Sequence, residues 1–152
     1  MTHIIHRIAA VTAAICIATF LISTITSELF GSYETVATVK QLIVMPGLFI
    51  LVPAIAATGG TGFALAKTRK GKLIQAKKKR MPFVGANGLL VLIPCAIVLD
   101  RMASAGTFDI TFYSIQAIEL LAGAVNLTLM GMNIRDGLRM SGRFHVSMGT
   151  TH

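Results

Sequence analysis

Tryptophan is absent from this 152-residue chain, cysteine occurs only twice, and only six residues are acidic. Each shortage excludes something. Cys16 and Cys95 sit in separate apolar runs with no CxxC pair, which excludes a disulfide scaffold, a thioredoxin-like redox motif and a cysteine-rich zinc site. Charged residues make up 13% of the chain, against about 25% in an average soluble domain. GxSxG, HExxH and GxxxxGK[ST] are all missing, which removes the usual signatures of serine hydrolases, zinc proteases and P-loop enzymes. With no hydrolytic or metalloenzyme motif, a non-enzyme is favoured.

What the chain has in abundance is apolar sequence. Hydrophobic residues reach 54%, and the mean hydropathy is +0.74. Four apolar runs, approximately 8–27, 40–66, 82–100 and 112–134, each approach the length of about 17–25 residues that spans a bilayer as a helix. The predicted fold is therefore all-α: one integral membrane four-helix bundle covering residues 1–152. The first run is read as a retained span, since Ser27-Glu28-Leu29 offers no small-residue cleavage site.

The formal net charge of +8 is unevenly placed. Of the 14 basic residues, all except Lys40 and Arg101 lie before the first span, in the 67–80 loop or after the fourth span. Glu28, Glu34, Asp100 and Asp109 lie on the other side. The positive-inside rule then makes both termini and the 67–80 loop cytoplasmic, as in a multi-pass protein of a bacterial inner membrane. The loop faces anionic lipid head groups. No aromatic residue interleaves its charges, which argues against a nucleic-acid partner.

The fourth span carries the most informative pattern. Gln116, Glu119, Gly123, Asn126, Met130 and Asn133 recur at alternating intervals of three and four, so they form one seam of a helix. A carboxylate at a helix centre costs roughly 2.5–3.5 kcal/mol on insertion scales, so Glu119 requires a reason to be there. It could relay a proton, hold a quinone carbonyl, or bond Ser23, Thr26 or Gln116. Lys40, at the expected outer end of span two, is a candidate counter-ion, with snorkelling to the head groups preferred. Asn87 lies about seven residues inside Arg80 and Asn126 about nine inside Arg135, depths that agree within ~3 Å. A hydrogen bond between the two asparagines is expected.

Other features point to packing or to ligands. In span one, Thr12, Cys16, Thr19, Ser23 and Thr26 form a second small-residue seam, expected to be a packing face. Pro46 and Pro53 predict a kink in span two. Gly59, Gly60 and Gly62 permit close approach of a helix or of a flat ligand. A b-type haem or a quinone against those glycines would draw on His6 and on Met130 or Met132 as axial ligands. A metal site from His3, His6 and His145 is the other cofactor arrangement considered. No histidine pair lies within the spans.

Three segments also carry a resemblance: Gly59-Gly60-Thr61-Gly62-Phe63; Lys79-Arg80-Met81-Pro82-Phe83 with Ala86-Asn87-Gly88-Leu89-Leu90; and Glu119 through Asn133 followed by Arg135-Asp136-Gly137-Leu138-Arg139. Together they resemble small four-helix bacterial inner-membrane proteins. The resemblance implies the fold and membrane and carries no activity. Three functions are then in play. The first is a membrane accessory or anchor protein, associated with a respiratory or redox complex through other membrane subunits or as a homo-oligomer. The second is a haem or quinone electron carrier, and the third a proton-linked small-solute transporter centred on Glu119.

Overall fold

The computed structural model describes residues 1–67 and 72–140, and these are built from helices joined by short turns. The helices are α1 (Thr2–Phe30), α2 (Tyr33–Leu42), α3 (Phe49–Lys67), α4 (Lys72–Asn87), α5 (Ile93–Ser104) and α6 (Ile110–Met140). A kinked segment, Ile43–Leu48, joins α2 to α3, and a π-helical turn, Gly88–Leu92, joins α4 to α5. The result is four rods long and apolar enough to cross a membrane: Thr2–Phe30, Tyr33–Leu65, Lys79–Ser104 and Ile110–Arg139. Each packs against its neighbours in chain order, and α1 also packs on α6, closing a four-helix bundle.

Both breaks have proline causes. Pro46 lacks the N–H that would continue the ladder, and Met45 before it takes extended torsions (φ −132°, ψ 109°) across a cis Met45–Pro46 bond. Gly47 follows where the Phe20 ring of α1 lies against the backbone: a Cβ there would stand 2.6 Å from Phe20 Cζ. Pro94, in the first turn of α5, likewise removes a backbone donor just after the wide π turn. Pro82, by contrast, lies inside α4, and the helix runs through it.

The connections at the end opposite the basic loop, here called distal, are capped by short polar side chains. Ser32 Oγ accepts from the Thr35 amide at 3.3 Å and so starts α2 at Tyr33. Asp109 Oδ1 accepts from the amides of Thr111 (2.9 Å) and Phe112 (3.0 Å), starting α6. Gly106, at φ +69°, ends α5 in the left-handed conformation that glycine adopts without penalty. Span two is thus helical from Tyr33 rather than from about residue 40, which brings Lys40 two turns into the helix.

Two apolar clusters fill the bundle. One unites Ala13, Ile17, Leu51, Ala54, Val84 and Met130; the distal one unites Val36, Leu99, Ala103 and Phe112. Large apolar side chains such as Ile15, Ile22, Phe49, Leu90 and Leu121 face outward, as lipid contact requires. The inward face of α1 differs from the seam expected. Ala9, Ala13, Ile17, Thr24 and Ser27 are buried, while Thr19 and Thr26 are exposed. Hydroxyls do not dictate the inward face because they can bond their own helix, as Ser23 does to the Phe20 carbonyl (3.1 Å).

Candidate functional site

Between the two clusters lies a layer of polar side chains on the inward face of α6. Gln116, Gly123, Asn126 and Met130 are buried and Glu119 nearly so, so the seam does turn toward the bundle. Glu119 does not take its partner from the hydroxyls of span one. Lys40 Nζ donates to Glu119 Oε2 at 2.7 Å, with the two side chains 1% and 13% exposed. Lys40 therefore does not snorkel. Its position two turns into α2 puts the ammonium beside Glu119 and away from the helix end. Buried pairs of this kind persist only where geometry compensates for two desolvated charges.

A small cavity adjoins the pair. About 40 Å³ in volume, it is walled by apolar side chains such as Phe20, Leu48 and Leu92, with Thr24 and Glu119 as its polar members. That is the volume of roughly three water molecules and too little for a ring cofactor. Among the described residues, three further buried oxygens toward the distal end, Glu28 Oε1, Asp100 Oδ1 and Gln116 Oε1, have no hydrogen-bond partner, and neither has Asn133 Oδ1 toward the basic end. The two amide oxygens can only accept a hydrogen bond, whereas the Glu28 and Asp100 carboxylates can also take a proton.

Toward the basic end two asparagines bridge α4 and α6. Asn87 Nδ2 donates to Asn126 Oδ1 and to the Ala122 carbonyl, both at 3.0 Å, and Asn126 Nδ2 donates to the Val84 carbonyl at 3.2 Å. The matching of depths anticipates the first of these. One turn beyond α6's asparagines, Arg80 Nη1 pairs with Asp136 Oδ2 at 2.8 Å, tying α4 to α6. Its sequence position marks Arg80 as a loop charge and a depth reference for Asn87, with no partner assigned. The i+3 spacing of Asn133 and Asp136 continues the α6 seam and was the signal available for it.

The residues proposed for haem do not frame one slot. Gly59 and Gly60 are exposed with open space beside them, while Gly62 is covered by Met81 and His6. Met130 packs in the apolar cluster with Ala13 and Val84. A helix turns 100° per residue, so glycines that are neighbours in sequence face different ways. His6 is buried, and its Nδ1 lies 3.1 Å from Thr61 Oγ1, while His3 is exposed and His145 lies outside the described residues. Among the described residues no group of three or more His, Cys, Asp or Glu side chains gathers as a metal site. No family model, curated protein or solved structure matches the chain.

Proposed function

We propose that this is a multi-pass protein of a bacterial inner membrane, with both termini cytoplasmic, that handles protons through Glu119 and Lys40. The supporting observation is the 2.7 Å pair itself, buried beside a water-sized cavity and joined by α2 to the Pro46 kink. Intramembrane ionisable residues default to functional roles, and broken helices line the sites of many transporters. A proton added to Glu119 neutralises the carboxylate and leaves the Lys40 ammonium without its counter-charge. The kink gives the Tyr33–Leu42 segment a hinge about which to relieve that imbalance, and loss of the proton restores the pair. The exposed Lys79, Arg135 and Arg139 at the basic end meet anionic head groups.

Proteoliposomes loaded with a pH-sensitive dye test this reading. Under an imposed potassium diffusion potential, wild-type protein is expected to conduct protons and Glu119→Gln at least tenfold more slowly. Equal rates in the two would sink the proton role.

The accessory or anchor reading has an observation of its own. Ala117, Ala124, Thr128 and Gly131 are exposed along one side of α6, and nothing lies within 4 Å of a Cβ placed on Gly131. Small residues let a second helix approach closely in a membrane. An assembly recovered in mild detergent, as a homo-oligomer or with other membrane subunits, should dissociate on Gly131→Leu. A monomer under all extraction conditions removes this reading.

A further inference from the structure

We propose that Arg80 and Arg135 form a binding site for the phosphate of one anionic phospholipid at the basic end of the bundle. A single-lipid site goes beyond a general contact with head groups. It rests on the membrane placement proposed above, and not on the proton role of Glu119.

Asp136 brings the two arginines together. Its buried carboxylate accepts from Arg80 Nη1 at 2.8 Å through Oδ2. Arg135 Nε lies 3.9 Å from the other oxygen, Oδ1. One guanidinium comes from α4 and the other from α6, so two helices meet at one buried anion. Two positive charges there face a single negative one, and Arg139, one turn past Arg135, is exposed as well. The cluster is left with unbalanced positive charge.

The donor count agrees. Arg80 spends one of its five N–H groups on Asp136. The Arg135 contact is too long for a hydrogen bond, and that side chain is 57% exposed. Arginine forks match phosphate oxygens in pairs, and basic sites between transmembrane helices take lipid phosphate. The surroundings favour a lipid over a free phosphate. Both arginines stand near the ends of their spans, Lys79–Ser104 and Ile110–Arg139. One turn deeper on the same helix faces, Phe83 is exposed, and Gly131 is exposed with open space beside it. Each guanidinium is thus followed inward by lipid-facing surface, where acyl chains lie when the phosphate sits on the arginines. A free phosphate uses only the charged half.

The test is titration of the delipidated full chain in detergent with phosphatidylglycerol, read by native mass spectrometry and by unfolding temperature. One tightly held equivalent and a raised unfolding temperature are expected for wild type. Arg135→Gln, a surface change, should weaken binding at least tenfold while unfolding in lipid-free detergent stays as in wild type. Arg101→Gln removes an exposed arginine at the distal end and should bind as wild type does. Phosphatidylcholine and inorganic phosphate should each bind at least tenfold more weakly than phosphatidylglycerol. Should Arg135→Gln fail to fold, Arg135→Lys keeps the charge without the paired donors and gives the same readout of weakened binding. No saturable uptake by wild type, unchanged affinity in Arg135→Gln, or an equal loss in Arg101→Gln would each overturn the assignment. So would phosphatidylcholine or inorganic phosphate binding as tightly as phosphatidylglycerol. Proton flux is not read in this experiment, so its failure leaves the Glu119 reading standing.

Discussion

Glu119→Leu is expected to destabilise the protein by about 3–5 kcal/mol, and adding Lys40→Met to it is expected to recover most of that loss. The single change leaves the Lys40 ammonium, 1% exposed, without its counter-charge. The double change removes both desolvated charges and substitutes side chains of similar volume, a replacement that is often neutral or stabilising in buried pairs. Unfolding in detergent of wild type, both single variants and the double variant gives the coupling energy directly. Single-variant losses below about 1 kcal/mol would mean that the pair behaves as a surface ion pair, and the site would lose its physical basis. The same four proteins divide structure from function. A stable double variant that fails to conduct protons assigns the work to the charges, since the fold survives without them.

Lys40 also shows where sequence reasoning stops. The bundle was legible because each apolar run approaches bilayer length, and the α6 seam because polar residues inside such runs are rare enough for their spacing to stand out. Counting residues inward from basic anchors placed Asn87 against Asn126, since helical rise converts position into depth. Lys40 failed the same procedure because the start of its helix was misplaced. Tyr33, Glu34 and Thr35 dilute the apolar run, so span two was predicted to begin at about residue 40. Ser32 as an N-cap was the overlooked signal. Rotational phase was the other loss. Composition marked Gly59, Gly60 and Gly62 as one cluster, yet only Gly62 packs beneath Met81 and His6. Which face a small or hydroxylated residue presents depends on what its neighbours bury, and in span one the buried face runs through Ala9, Ala13 and Ile17 to Thr24 and Ser27.

Phe112→Ala is expected to cost about 3–5 kcal/mol, and to do so by opening the distal end above the charge pair. Phe112 is fully buried in the cluster with Val36, Leu99 and Ala103. Its ring also meets Phe108 and Tyr113 edge to face, with centroids 5.0 and 5.3 Å apart, and Phe108 stacks on Tyr33 at 4.5 Å. These four aromatics link α2, the α5–α6 turn and α6, so truncation removes both a large apolar volume and the ring contacts that hold the turn. Along α6, Phe112, Gln116 and Glu119 follow at four and three residues, which sets the ring about 10 Å outward from the carboxylate on the same face. Phe112→Leu keeps most of the volume and should cost clearly less. If Glu119 handles protons, Phe112→Ala is further expected in proteoliposomes to raise proton entry in a manner that still requires Glu119, since the ring is buried on the same α6 face between the distal end and the pair. A Phe112→Ala protein as stable as wild type would show that the aromatic cluster is no seal. A leak that persists with Glu119→Gln would show that protons pass elsewhere.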